Sequence, residues 1–241
     1  MKRAPLLVLL SLASLALSGC SLIPSTSGGS SRSQANTGYS GPASSAPAAR
    51  VNTPPPIARN NADNQCLAQL GQAGARFEAL PDQYFDQGCS TLGTVQMHAL
   101  ASDRGSLELR NIGPVTCPVS AAFAAWARFG VDRAAQEIFG QGVASIQTMG
   151  SYSCRNVAGS SRRSAHASAD AIDIGGFVLE DGTRITVASG WNGSDKEREF
   201  LRVIQRSACR RFDTVLGPDY NAAHHDHLHL EGVIDGNSYC R

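Results

Sequence analysis

Residues 221–230 read Asn-Ala-Ala-His-His-Asp-His-Leu-His-Leu and hold His224, His225, His227 and His229, four of the six histidines in the chain. If Leu228, His229 and Leu230 form a strand, His227 and His229 project from one face, because strand side chains alternate with a period of two. A second short motif, residues 164–173, reads Ser-Ala-His-Ala-Ser-Ala-Asp-Ala-Ile-Asp and adds His166 and Asp173. Asp173 lies between Ile172 and Ile174, so a strand there turns both isoleucines into a core and the carboxylate away from it. Imidazole is the commonest ligand for borderline metals, and a carboxylate beside it suits zinc. A catalytic zinc takes three protein ligands and keeps one position open. His166, Asp173 and His229 are the expected ligands. His227, on the same face as His229 but further along, is the expected proton acceptor, with His224 and Asp226 assisting in proton transfer or orientation. The competing reading is a hydrogen-bonded network of histidines without an ion.

Upstream, the folded part shows mixed patterning. Residues 64–72 have helical spacing around Leu67 and Leu70. Residues 94–99 alternate Val95 and Met97 against Gln96 and His98, a half-buried strand with His98 on its solvated face. Residues 107–109 suggest another short strand. A helix starts near Pro118, with Val119, Ala122, Phe123 and Trp126 forming one apolar stripe. A second helical piece covers residues 132–139, and a strand covers 143–149. Asp181-Gly182 between two apolar runs predicts a hairpin. Ser194-Asp-Lys-Glu197 is a capping box opening a helix whose buried side carries Phe200, Ile204 and Ala208. The Lys and Arg residues of that helix read as a solvated face. Residues 212–216 are a strand, and Gly217-Pro218-Asp219 a turn before the histidine-rich strand. The expected fold is α+β: a small, mainly antiparallel sheet carrying the metal site, with helices packed on its other face.

The formal charge of +1 gives no case for nucleic acid, and no basic stripe carries interleaved aromatics. Of seven cysteines, Cys66, Cys89, Cys117, Cys154, Cys209 and Cys240 fall in the folded part. An even set in an exported domain implies a disulfide framework whose connectivity the sequence leaves open.

The export reading comes from the start of the chain. Met1-Lys2-Arg3 followed by an apolar run over residues 6–17 is expected to act as a secretory signal, residues 1–19. Leu17-Ser18-Gly19-Cys20 resembles the lipobox of bacterial lipoproteins. The resemblance implies lipidation of Cys20, and Ser21 after it implies sorting to the outer membrane, with a periplasmic domain. Residues 20–62 are rich in Ser, Pro, Gly and Ala and are expected to form a disordered linker; residues 63–241 are the expected domain. The only membrane contact expected is through the lipid anchor.

The longer motifs carry a family resemblance. Ser164-x-His166-x-x-Ala169-x-Ala171-x-Asp173 resembles the Ser-x-His-x-x-Gly-x-Ala-x-Asp motif of zinc D-alanyl-D-alanine peptidases, with Ala169 in place of the glycine. The run from His224 to His229 resembles the closing motif of the penicillin-insensitive murein endopeptidase, in the metallopeptidase group that includes the hedgehog domain. The stretch 66–241 as a whole resembles the bacterial extensin-like C-terminal domain family. Its marks are Gly150-Ser-Tyr-x-Cys-Arg155, the His166/Asp173 motif and residues 217–229. The resemblance implies zinc on His166, Asp173 and His229, His227 as base and His224 assisting. It also implies that Arg155 grips a substrate carboxylate or carbonyl, although packing beside Cys154 would explain that residue nearly as well. The function implied is zinc-dependent hydrolysis of peptidoglycan amide bonds, of endopeptidase or carboxypeptidase type. The alternative is a non-catalytic, zinc-containing peptidoglycan-binding or structural envelope lipoprotein. At Ala169 the expectation divides: strain if the backbone there has a positive φ, tolerance if the glycine serves only close packing.

Overall fold

The computed structural model describes residues 60–241. The signal segment 1–19, Cys20 and nearly all of the linker 20–62 lie outside the described residues. Folded structure starts inside the stretch assigned to the linker: Asn60 caps helix α1 (Asn61–Gln72) by accepting the Asp63 N–H at 2.9 Å.

Strand β8 (Ala171–Leu179) is the backbone of the site. Its Ile172 and Ile174 are fully buried while Asp173 between them is not, as the alternation requires. Further along, the inward residues are Phe177 and Leu179, a change of parity. The change comes from a bulge: Gln147 pairs with Gly176 and Thr148 with Ile174, leaving Gly175 unopposed.

Nine strands surround β8 in chain order and by pairing. They are β1 (Arg76–Ala79), β4 (Thr94–Ala101), β5 (Ser106–Arg110), β6 (Val115–Thr116), β7 (Val143–Gly150), β9 (Arg184–Thr186), β10 (Thr214–Leu216), β11 (Leu228–Glu231) and β12 (Tyr239–Cys240). The order across the sheet is β1-β4-β5-β7-β8-β11-β10-β12, with β6 on β4 and β9 on β8. Pairing is antiparallel except for β5 with β7 and β10 with β12. A separate hairpin joins β2 (Gln83–Asp86) to β3 (Cys89–Thr91). The sheet is thus larger than the small one expected, though mainly antiparallel. The additional strands are short pieces whose pairing is non-local and leaves little periodic trace.

Helices pack on the face opposite Asp173. The chain from Cys117 to Phe139 forms α2 (Cys117–Trp126), a π-helical stretch (Ala127–Asp132) and α3 (Arg133–Phe139) in succession, rather than two separate helices. Gly130 lies in the π-helical stretch where α5 (Asp195–Ala208) crosses; a Cβ there would sit 2.5 Å from Ser207 Oγ. The short α4 (Val187–Gly190) precedes α5, which opens with the anticipated capping box between Ser194 and Glu197. Trp126 is core: its ring meets Phe177 and Phe212 edge-on, and its indole N–H donates to the Ile204 carbonyl at 2.9 Å. On α5, Arg202 stacks on Trp191 and pairs with Asp219, and Arg198 pairs with Asp195. Those arginines hold the domain's own surface together.

Three disulfides brace the domain: Cys66–Cys117, Cys89–Cys154 and Cys209–Cys240. Each closes a loop of several tens of residues, a contribution of about 2–4 kcal/mol apiece through restriction of the unfolded chain. Among the described residues no helix is long and apolar enough to cross a membrane.

Candidate metal centre

His166 is positioned by a turn. Ser164 Oγ caps a 3-10 turn (Ala165–Ser168) by accepting the His166 N–H, and Ala169 ends it in the left-handed region at φ 56° and ψ 27°. That conformation lets Asp170 N–H return to the Ala165 carbonyl at 3.0 Å. The position where the resembling motif has glycine therefore does demand a positive φ, and a buried alanine adopts it, at a cost of roughly 1–2 kcal/mol. The turn is tied down further by Thr116, whose hydroxyl donates to Asp170 at 2.9 Å.

Strands supply the partners. In the β8–β11 ladder, Asp173 lies directly opposite His229. The His229 Nδ1 is 2.9 Å from Asp173 Oδ1 and 3.2 Å from His166 Nε2, and His166 Nε2 is 3.2 Å from Asp173 Oδ2. One ligand atom from each of the three residues lies within 4.8 Å of the others. Tetrahedral zinc with bonds near 2.0–2.2 Å separates its ligand atoms by about 3.3–3.6 Å. The observed triangle is close to that size.

The donor chemistry fits as well. His166 Nδ1–H donates to the Ser151 carbonyl at 2.6 Å, which leaves the Nε2 lone pair facing the centre. His229 Nε2–H donates to Glu231 at 3.0 Å, so Nδ1 is its inward atom. Burial opposes a charge on Asp173, yet the two imidazoles hold its carboxyl well below the usual carboxylate range. Burial likewise opposes a charge on His229, but hydrogen bonds and charges from Asp173 and Glu231 overcome it and raise its pKa to about 9. The site is built to surround positive charge, and its three ligand atoms could hold a metal ion in place of that proton.

Two further imidazoles face the same cleft. His227 Nε2 lies 3.6 Å from Asp173 Oδ1, and its Nδ1–H donates to Asp226 at 2.9 Å. His224 donates from Nδ1 to Asn221 at 2.8 Å, and its ring centroid is 5.1 Å from that of His227. Burial, then the nearby His227 and His229, lower its pKa to about 4, so it is neutral at pH 7. The histidine-rich strand proves short. His224 belongs to a 3-10 turn (Ala222–His224), and only Leu228–Glu231 is strand. His225 points to solvent and bonds Ala222, outside the group. His98 is also remote, beside Glu78 at 3.6 Å, a partner the sequence spacing did not reveal.

The centre opens into a cleft of about 490 Å³ whose lining includes Arg155, Arg162, Tyr220, His224, His227 and Tyr239. Arg155 is exposed there, directly after the Cys89–Cys154 bridge. Glu231 escaped the sequence reading, although the period that paired His227 with His229 also places residue 231 on that face.

Fold and cluster together define a disulfide-braced α+β domain with a buried His-Asp-His group shaped to hold a metal ion. The chain belongs to the family described as Extensin-like protein C-terminus, whose model matches residues 64–241. Searches of curated proteins and of solved structures returned no match.

Proposed function

We propose that the domain is a zinc-dependent hydrolase of amide bonds in the peptides of peptidoglycan, related to the D-alanyl-D-alanine and murein-endopeptidase metallopeptidases. The observation that carries this reading is the convergence of three ligand atoms within 4.8 Å beside an aspartate-paired imidazole, His227, at the floor of an open cleft. His166, Asp173 and His229 would hold zinc, which when bound would supply Lewis acidity for a carbonyl and for a water nucleophile near neutral pH.

The remaining work falls to the protein's own side chains. Asp226 fixes the His227 tautomer with the proton on Nδ1, so Nε2 accepts the proton of the attacking water. The resulting imidazolium is stabilised by Asp226 and can return the proton to the leaving amine. His224, held neutral, serves as a hydrogen-bonding partner for substrate or water. Arg155 offers a planar fork to a substrate carboxylate.

The lipobox-like residues support a setting to match. The chain is exported, lipidated on Cys20 and held at the periplasmic side of the outer membrane, with the residues between Cys20 and the Asn60 cap joining the anchor to the domain. Incubating zinc-loaded protein with peptidoglycan should release new amino groups, and His227→Ala should lose that release by about 100-fold or more while keeping the metal. Undiminished release from that variant would refute the assigned base. Absence of release from the wild type would favour a zinc-containing binding protein.

A further inference from the structure

Residues 155–164 form a small hairpin beside the cleft. Ser164 N–H donates to the Arg155 carbonyl at 3.1 Å and Val157 N–H to the Arg162 carbonyl at 2.9 Å, which sets Asn156 directly opposite Arg163. Alternation then divides the hairpin into two faces. Asn156 and Arg163 share one; Arg155, Val157, Arg162 and Ser164 share the other.

The two faces are used differently. Arg163 is spent on structure: its guanidinium donates to the Gln87 carbonyl at 2.9 and 2.7 Å, to Asn156 at 3.3 Å, and pairs with Asp86 at 3.2 Å. Together with the Cys89–Cys154 bridge it fastens the hairpin to the β2–β3 turn. The other face lines the cleft with all four of its residues. Arg155 and Arg162 are exposed, and neither guanidinium has an ion pair or hydrogen bond among the described residues. The carboxylates near them are already engaged by histidines. Asp173 is shared by His166 and His229, Glu231 is bonded to His229, and Asp226 to His227. Arg162 and Glu231 interact at longer range, without an ion pair or hydrogen bond between them.

We propose that Arg162 is a second anion-recognition residue of this cleft, acting alongside Arg155, and that the ligand is a peptide presenting two free carboxylates. This deepens the hydrolase reading by naming what the substrate must carry, and it rests on that reading for the choice of a peptide. The hairpin backbone that carries both guanidiniums is anchored by the Cys89–Cys154 bridge and by Arg163, so docking a dicarboxylate has to order only the two side chains. The wall formed by Tyr220 and Tyr239, edge to face at 6.2 Å, suits the apolar parts of such a peptide. Peptidoglycan stem peptides built on γ-linked D-glutamate and meso-diaminopimelate have this pair of carboxylates flanking their amide bonds.

The test is titration calorimetry on the full chain, stripped of metal by chelation so that binding is read without turnover. The probes are the peptide L-Ala-γ-D-Glu-meso-diaminopimelyl-D-Ala, its two single amides at the glutamyl and diaminopimelyl carboxyls, and the double amide. The wild type should bind the free acid at least on the order of tenfold more tightly than the double amide. Arg162→Gln should lose on the order of tenfold for the free acid and nothing for one of the single amides, which identifies the carboxylate it grips. Arg162→Lys should recover part of the loss, and melting temperatures should be unchanged because the side chain is exposed. Wild-type protein that binds acid and double amide alike, or binds neither, overturns the proposal. So does an Arg162→Gln variant that matches the wild type, or that weakens all four peptides equally. Selective binding without hydrolysis by the zinc-loaded protein would leave the proposal standing and remove the hydrolase reading.

Discussion

Two carboxylates in this domain are each gripped by two basic side chains, with opposite consequences. Asp103, exposed in the turn between β4 and β5, accepts from Arg128 at 2.8 Å and from Arg133 at 2.7 Å. Asp173, in the sheet, is held by His166 and His229 at similar distances. Both carboxyls are driven down, Asp103 to about 2 chiefly by the Arg133 and Arg128 hydrogen bonds. Arginine does not give up its proton, so the Asp103 group is a permanent ion pair with its charges satisfied. Imidazole does, so the Asp173 group can exchange protons for a metal ion. The same charge pattern is a clasp in one place and a socket in the other. What separates them is the identity of the base and the burial around it.

The sharpest way to break this comparison is to remove each aspartate in turn. Asp173→Ala should reduce bound zinc from about one per chain to below about a tenth, measured by metal analysis after gel filtration. Asp103→Ala should leave zinc content unchanged. Next in size is Glu231→Ala, which frees the far nitrogen of His229. Zinc affinity measured by chelator competition should fall about 10–100-fold, with Glu231→Gln falling less because the hydrogen bond survives. The turn that carries His166 gives a smaller effect. Ala169→Gly relieves roughly 1–2 kcal/mol of backbone strain but frees the unfolded chain and loses a buried methyl, so denaturant unfolding should place it within about 1 kcal/mol of the wild type.

The smallest effect belongs to the surface clasp. Asp103→Asn should lower the melting temperature slightly at pH 7. Because the folded carboxyl titrates at about 2 against an ordinary 3.8, its contribution is complete above about pH 4 and disappears as pH falls through 2. The gap between variant and wild-type melting temperatures should close over that range. A gap that persists at pH 2 would mean that the group acts through packing rather than charge.

The elements that were legible in the sequence are those whose rule is local. Ile172 and Ile174 flanking Asp173 read correctly as strand because period-two alternation needs only three residues. Ser194 and Glu197 announced α5 by a reciprocal pair within one turn. The residues grouped as ligands could be chosen from type and spacing, and the fold brings His166, Asp173 and His229 together. What sequence could not supply depends on distant partners. The Cys66–Cys117, Cys89–Cys154 and Cys209–Cys240 pairing needs the sheet order, as do β1, β6 and β12, which are two to four residues long. The boundary between α2 and α3 was misread because the chain continues through a π-helical stretch past Gly130 instead of breaking. The backbone sign at Ala169 was undecidable from the residue itself, since alanine announces no left-handed turn.

The decisive observable is where a zinc ion sits. Crystals grown with zinc and measured at its absorption edge should show a single strong anomalous peak about 2.0–2.2 Å from His166 Nε2, His229 Nδ1 and an Asp173 oxygen. A peak held by other side chains, or no peak at these three, would contradict it.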